Sequence, residues 1–215
     1  MGAIDPERLR VHVITSSELV PGRGHVEVAN AAVEGGADVV QLRAPELSDD
    51  ELSSVARQIG RCCRWSHVLF LVNDRIDMAV AAGAGGAHVG QGDHPETARE
   101  RLGPEGVLGI SVSTPEQAKA AEMGGADYLG VTVFATPTKP EAVPLGLEGL
   151  RPIVDATSLP VVAVGGIDIS NARRVLAAGA TGVAVVSAVG AAPDPVAATR
   201  ELVKFVRAHV SVPGG

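Results

Sequence analysis

Two aspartates, Asp74 and Asp93, each follow a short apolar segment, and each has a side-chain amide close by, Asn73 or Gln91. Taken alone, either aspartate could cap the helix that follows it. If the two segments are neighbouring parallel strands, both carboxylates face the same opening, where their charges repel unless a cation lies between them. One or two carboxylates, completed by water and substrate phosphates, are a typical ligand set for Mg²⁺. The pair therefore predicts a magnesium site and a phosphate-bearing substrate.

Features that could bind an anion stand later in the chain. The pairs Gly165-Gly166 and Ser187-Ala188 each follow a Val-rich segment, and their backbone N–H groups could approach a phosphate. The two glycines could instead serve only a tight turn. Arg43 and Lys139 are cations that could meet a second phosphate group on the opposite rim, although each could also be an ordinary surface charge. These residues favour a substrate with more than one phosphate-bearing end.

A repeated pattern of helix, glycine stop and strand must position these residues. The phrase Gly-Gly-Ala-Asp, or a variant of it, starts at residues 35, 85, 124 and 179, in each case between an Ala-rich segment and a Val-rich run. Four further runs, near 11–14, 68–74, 107–112 and 161–165, bring the strands to eight. Strands with almost no polar alternation are buried on both faces, as in a parallel sheet covered by helices. At about 27 residues per strand–helix unit, the pattern favours a single α/β domain, a (β/α)8 TIM barrel over residues 1–210, rather than an open doubly wound sheet.

In a barrel of this kind the site is built at the C-terminal ends of the strands. The polar residues expected there are Gln41, Arg43, Asn73, Asp74, Gln91, Asp93, Ser111, Ser113 and the loop residues Thr136, Thr138 and Lys139. Three residues, Ser48, Thr114 and Ser170, are predicted to cap the helices that follow them.

The composition excludes several classes of function. The 215 residues have a formal net charge of -7 and only one Trp, one Tyr and three Phe, which argues against nucleic acid as a partner. No apolar run could span a bilayer and the N-terminus does not resemble a secretory signal, so we expect a cytoplasmic protein without a membrane partner. The adjacent Cys62 and Cys63 are poorly placed for a mutual disulfide and offer no zinc ligand set. Residues 211–215 are predicted to form a flexible tail, and the oligomeric state stays open, a homo-oligomer included.

The strand-end residues, read in order, resemble the thiamine-phosphate synthase family, also called thiamine-phosphate pyrophosphorylase. The resemblance rests on VQLR at 40–43, NDR at 73–75 with HVGQGD at 88–93, GIS at 109–111 and TPTKP at 136–140. PLGLEGL at 144–150, PVVAVGGI at 160–167 and GVAVVSAV at 182–189 extend it through nearly the whole chain. It implies a (β/α)8 barrel that joins hydroxymethylpyrimidine pyrophosphate to thiazole phosphate and releases pyrophosphate.

Carried over position by position, the resemblance implies that Asp74 and Asp93 bind Mg²⁺. It implies catalytic contacts to the pyrophosphate from Arg43, Asn73 and Lys139. The other implied substrate contacts are Gln41 and Ser111 at the pyrimidine, and Thr136, Thr138, Gly166, Val186 and Ser187 at the thiazole phosphate. We interpret His88 and His94, which flank the proposed metal site, as bystanders.

Three departures from the family pattern keep alternatives open. Pro45 stands where the family has a pyrophosphate-binding Lys, Thr132 and Val133 stand where a Gly-Pro pair is usual, and Ser113 stands where a His is frequent. One alternative is a thiazole tautomerase on the same barrel, which typically has a His at the position of Thr132 and lacks the paired metal acids. The other is a paralogue that binds a phosphorylated thiazole without turnover, an alternative that the loss of the family Lys at Pro45 suggests.

Overall fold

Eight parallel strands close into a barrel in which every strand pairs with its neighbours in chain order and β8 pairs with β1. The computed structural model describes residues 4–92 and 94–210. The strands are β1 (Val11–Ile14), β2 (Val39–Leu42), β3 (Leu69–Asn73), β4 (Gly86–Val89), β5 (Val107–Ser111), β6 (Tyr128–Thr132), β7 (Val161–Val164) and β8 (Gly182–Val185). The predicted (β/α)8 barrel is confirmed.

Helices follow each strand and cover the outside of the barrel. They are α1 (His25–Gly35), α2 (Asp49–Trp65), α3 (Ile76–Ala81), α4 (Pro95–Leu102), α5 (Pro115–Met123), α6 (Gly146–Asp155), α7 (Ala172–Ala177), α8 (Ser187–Gly190) and α9 (Pro195–His209). A single 3-10 turn, Pro6–Leu9, precedes β1. The long connection after β6, residues 133–145, contains the predicted loop around Lys139. The predicted tail, 211–215, lies outside the described residues.

Successive strand residues point alternately into the barrel and out to the helices. In β3, Leu69 and Leu71 belong to the cluster inside the barrel, whereas Phe70 and Val72 belong to the cluster between strands and helices. All four are buried, because helices cover the outer face and neighbouring strands enclose the inner one. Burial on both faces is the reason that the strands are nearly continuous apolar runs in the sequence.

Two of the three predicted helix caps are confirmed. The Ser48 side chain accepts a hydrogen bond from the Glu51 backbone in a capping box, and the Thr114 side chain accepts one from the Gln117 backbone. The prediction that Ser170 caps α7 is wrong, because the cap position is Asn171. The Ser170 hydroxyl instead donates to Asp168 Oδ1 at 2.5 Å, within the turn that leads into the helix.

Both cysteines of the chain belong to helix α2. Cys62 and Cys63 lie in the last turn of α2, and both are free thiols. Burial raises the pKa of the Cys63 thiol to about 12, so this sulfur is protonated and unreactive near neutral pH.

Within residues 4–92 and 94–210, every helix is too short or too polar to cross a bilayer.

Candidate active site

A cavity with about 720 Å³ of open space lies at the C-terminal ends of the strands. Its wall contains every residue that was predicted to contact substrate, although these residues come from six different strand ends or loops. They are Gln41, Arg43, Asn73, Ser111, Thr136, Thr138, Lys139, Gly166, Val186 and Ser187. The closed barrel therefore brings the predicted substrate contacts together in one place.

The floor of the cavity is a polar group held inside the barrel. His88 Nε2 lies 2.9 Å from Ser111 Oγ, and His88 Nδ1 lies 2.8 Å from the Tyr128 hydroxyl. Gln41 is 4% exposed, and its side chain interacts with the same hydroxyl. Burial and the charge of Lys139 lower the pKa of His88 to about 4, so the ring is neutral at pH 7. His88 lines the cavity, a position that its interpretation as a bystander did not anticipate.

The sequence carries one signal beside this floor, glycines inside two strands, although it does not indicate which residues approach them. Glycines stand beside the aromatic rings: a Cβ at Gly109 would overlap the Tyr128 ring, and a Cβ at Gly130 would lie 2.8 Å from His88 Cε1. Glycine in a strand interior often marks close approach of another group. These two glycines make the space in which the His88 and Tyr128 rings meet.

The rim of the cavity carries the predicted cations and the amide. Arg43 directly follows β2, Asn73 is the last residue of β3 and Lys139 lies in the long loop after β6. Arg43 is half-buried and Lys139 is exposed. The two side chains come from opposite parts of the barrel and line the same cavity.

Asp74 lies beside the cavity, in an adjoining recess that shares Arg43 and Asn73 with it. Its Oδ2 accepts a hydrogen bond from Asn73 Nδ2 at 2.5 Å, and its backbone is in the left-handed region, with φ +60°. Its backbone N–H donates to the His88 carbonyl at 2.8 Å, which ties the end of β3 to β4. The carboxylate is exposed at the opening, and the cap of α3 is Arg75. The other predicted metal ligand, Asp93, lies outside the described residues.

Pro45, the main departure from the family pattern, lines the same recess. The Pro45 carbonyl accepts a hydrogen bond from Arg75 Nη2 at 3.5 Å, and Arg75 Nη1 lies 3.4 Å from Asp49 Oδ1. A guanidinium therefore stands directly beside Pro45. It belongs to the same recess as Arg43 and Asp74.

The loops after β6, β7 and β8 contribute hydroxyl and backbone groups to the cavity wall. Thr136 Oγ1 and Thr138 Oγ1 are 2.9 Å apart. Gly165 and Gly166 have φ of +89° and +55°, and a Cβ on either would lie within 2.6 Å of a loop carbonyl, from Phe134 or Ala135. Both glycines are required by the backbone conformation as well as by this close packing. Ser187 begins α8, as predicted.

A buried hydrogen-bonded chain, which no sequence signal indicated, supports the position of Arg43. Thr15 Oγ1 lies 2.9 Å from His25 Nδ1, and His25 Nε2 lies 2.8 Å from Glu46 Oε1. The Arg43 backbone N–H donates to Thr15 Oγ1 at 3.4 Å. Thr15 and His25 are buried and Glu46 is exposed, so the chain anchors the loop after β2 to the barrel interior.

Comparisons with known proteins give one family over nearly the whole chain. The family model described as thiamine monophosphate synthase matches residues 11–189. The thiamine-phosphate synthase of Moorella thermoacetica is 47% identical over 199 residues, which cover 91% of this chain and 95% of that protein. The thiamine-phosphate synthase of Methanospirillum hungatei is 45% identical over 194 residues, with coverage of 89% and 94%.

A solved structure agrees with both sequence comparisons. The thiamine phosphate pyrophosphorylase from Pyrococcus furiosus has a TM-score of 0.87 to this chain at 41% identity, and the match covers 96% of this chain and 99% of that one. A solved 3-hexulose-6-phosphate synthase, with a TM-score of 0.69 at 18% identity, shares the fold alone. The chain belongs to the thiamine monophosphate synthase family, whose members are transferases of thiamine biosynthesis.

Proposed function

We propose that the cavity joins hydroxymethylpyrimidine pyrophosphate to thiazole phosphate and releases pyrophosphate. The observation that carries this proposal is the single cavity whose wall combines two cations, Arg43 and Lys139, with hydroxyls, glycines and a polar floor. Two phosphorylated substrates need two anion-binding sides and a place between them where the reacting atoms meet. Because phosphorylated substrates are kept inside cells by their charge, the proposal includes a cytoplasmic location.

Arg43, Asn73 and Lys139 would bind the pyrophosphate of the pyrimidine substrate. The guanidinium and the ammonium neutralise the negative charge that builds on the departing pyrophosphate, and preorganised charges of this kind stabilise a transition state without reorganising. The Asn73 amide already donates to Asp74, so its orientation is fixed before substrate binds.

The Asp74 carboxylate fits a ligand of a Mg²⁺ ion. It is exposed in the recess beside Arg43, and we propose Asp93 as the second ligand. One or two carboxylates suit an ion that keeps waters and substrate phosphates in its shell. When bound, Mg²⁺ would supply further positive charge against the leaving pyrophosphate.

The thiazole phosphate would lie on the other side of the cavity. Thr136 and Thr138 offer hydroxyls, and the backbone N–H groups of Gly166 and Ser187 can donate to phosphate oxygens. Val186 contributes an apolar contact beside them.

The chemistry is a substitution at the exocyclic methylene of the pyrimidine. The ring amino group stabilises positive charge at that carbon, so the bond to pyrophosphate can break before the new bond forms. The neutral thiazole nitrogen then captures the carbon without a general base. This accounts for a cavity whose imidazole, His88, is held neutral within the floor. The residues of the wall bind and orient both substrates and exclude water from the reactive carbon.

Arg75 supports turnover despite Pro45. Its guanidinium stands beside the Pro45 carbonyl, in the recess with Arg43, and can supply the positive charge that a Lys at position 45 supplies in the family pattern. We propose that Arg75 takes over this contact. If it does, the Arg75→Gln variant loses kcat by about 10², whereas a binding protein without turnover has no rate to lose.

The proposal is tested with purified protein, both substrates and Mg²⁺. Thiamine phosphate should form, and Asp93→Ala should reduce its rate sharply, whereas Asp155→Ala, at the exposed C-terminal end of α6, should not. Absence of product at high enzyme concentration would reject the synthase. Isomerised thiazole without metal would favour the tautomerase, and tight binding of thiazole phosphate without either product would favour the binding protein.

A further inference from the structure

A row of three inward-facing positions crosses β4, β5 and β6. His88 is paired in register with Gly109, and Gly109 with Tyr128. Since Gly109 has no side chain, the two rings meet across β5 and form the 2.8 Å contact between His88 Nδ1 and the Tyr128 hydroxyl. Two residues further along β5, Ser111 Oγ lies 2.9 Å from His88 Nε2. The result is a continuous hydrogen-bonded chain from the barrel interior to the cavity.

The protons in this chain have one consistent direction. Tyr128 is fully buried, and a buried hydroxyl hydrogen without an acceptor is destabilising. We therefore expect the Tyr128 hydroxyl to donate. Among the described residues, His88 Nδ1 is the acceptor that the Tyr128 hydroxyl hydrogen can reach. A neutral imidazole that accepts at Nδ1 carries its proton at Nε2.

The direction of the last hydrogen bond then follows. His88 Nε2–H donates to Ser111 Oγ, so the Ser111 hydroxyl hydrogen does not point at the imidazole. Ser111 is half-buried and lines the cavity. Its hydrogen therefore points to the space that a substrate would occupy.

We propose that Tyr128 and His88 are positioning residues that commit the Ser111 hydroxyl to donate a hydrogen bond to the substrate ring. The inference rests on the proposed function, because it takes that ring to be the pyrimidine. It adds a rule of specificity: the ring must present an acceptor, a bare ring nitrogen, at Ser111. Tyr128 is fully buried, so it acts on the substrate through the side chains that it contacts and not directly.

The rule separates two classes of heterocycle. An aminopyrimidine has ring nitrogens with free lone pairs. A pyrimidinone has an N–H group at one of these positions, and this N–H would face the donating hydroxyl of Ser111. A ring that carries C–H there would leave the Ser111 hydroxyl without an acceptor. Sites that bind through a committed hydrogen bond discriminate by leaving a buried group unpaired when the wrong ligand enters.

The tautomer of His88 is the direct test, and it needs neither substrate nor turnover. In protein with ¹⁵N-labelled histidine, the His88 signals are assigned by comparison with His88→Gln. We expect Nε2 to be protonated and Nδ1 to accept. A proton on Nδ1 would reverse the chain, make Ser111 an acceptor toward the ligand and overturn the inference. In Tyr128→Phe we expect the tautomers to mix. An unchanged tautomer in a folded Tyr128→Phe protein would remove Tyr128 from its positioning role, and the measurement on the unsubstituted protein stands if this variant does not fold.

Binding of analogues tests the specificity rule. The affinities of hydroxymethylpyrimidine pyrophosphate and of two deaza analogues, each with one ring nitrogen replaced by C–H, are measured calorimetrically without thiazole phosphate. We expect one deaza analogue to bind about tenfold more weakly than the parent. Ser111→Ala should abolish this difference. The matched control is Ser113→Ala, whose hydroxyl donates to Gln117 at 3.0 Å outside the cavity wall, and it should retain the difference.

The outcomes of the two tests separate the two proposals. Equal binding of the parent and both analogues by the unsubstituted protein would refute the specificity rule while leaving the synthase intact. If the parent pyrimidine does not bind at all, the proposed function fails, and the tautomer measurement still decides whether Tyr128 and His88 fix the Ser111 hydroxyl.

Discussion

Gly109→Ala should be one of the most damaging single-methyl additions in this barrel. The new Cβ would overlap the Tyr128 ring at Cζ and at the hydroxyl oxygen, whereas non-bonded carbon atoms prefer about 3.5–4.0 Å. The Tyr128 ring would have to move by about an ångström or more to restore that spacing. It is fully buried and packs against His12 and His88, so the ring can move only by displacing these neighbours or by entering the cavity of about 30 Å³ that it lines.

Two effects set the magnitude. Overpacking a well-filled core costs about 1–3 kcal/mol, and displacing the Tyr128 hydroxyl from His88 leaves a buried donor unsatisfied, at about 1–3 kcal/mol. We expect the unfolding free energy to fall by about 2–6 kcal/mol in total. For a domain of this size, each kcal/mol lowers Tm by about 2–4 °C.

The assay is calorimetric unfolding together with urea titration, and Gly60→Ala is the matched control. Gly60 lies inside α2, where a Cβ would be 3.4 Å from the Phe70 ring, an ordinary contact. Alanine is about 1 kcal/mol better than glycine within a helix, so the control should be neutral or slightly stabilising. A Gly109→Ala protein with unchanged Tm and an unchanged KM for the pyrimidine would refute the close packing of Tyr128 against β5.

Three further outcomes are expected. Arg99→Met should lower the free energy of unfolding by about 3–5 kcal/mol in urea titration. The substitution removes the donor to Asp127, which Arg99 Nη2 contacts at 2.6 Å, and to three backbone carbonyls. An exposed substitution such as Arg57→Met should cost far less. Burial lowers the pKa of His12 to about 3 from 6.5. As the pH falls, the unfolded chain therefore takes up this proton before the folded protein does, and the free energy of unfolding should fall from about pH 6.5 towards pH 3. His12→Leu should flatten that slope, and a parallel slope in both proteins would contradict the assignment. Lys139→Gln should lower kcat by about 10² in steady-state assays, and an unchanged kcat would remove Lys139 from the pyrophosphate side.

The helices and strands could be predicted because their signals are local. Glycine stops, Ala-rich segments and unbroken Val-rich runs each act within a few residues. The strand ends were therefore placed well enough to predict Gln41, Arg43 and Lys139 at one opening. Helix caps are also local, yet Ser170 was predicted wrongly, because its hydroxyl donates to Asp168 Oδ1 and the next residue, Asn171, takes the cap position.

The floor of the cavity could not be predicted in the same way. His88 and Tyr128 are separated by 40 residues, and nothing in either segment indicates that the two rings meet. Their contact depends on the register of β4, β5 and β6 and on the missing side chain of Gly109 between them. The same holds for the link from Glu46 through His25 and Thr15 to the Arg43 backbone.

The sequence by itself determined the number and order of strands, the residues at their ends and the family, because these depend on local periodicity and on motifs of a few residues. The tertiary structure decided which side chains touch inside the barrel, that Arg75 stands beside Pro45, and that His88 belongs to the site. The physical reason is that closure of the barrel sets the register between strands, and register decides which inward-facing residues become neighbours.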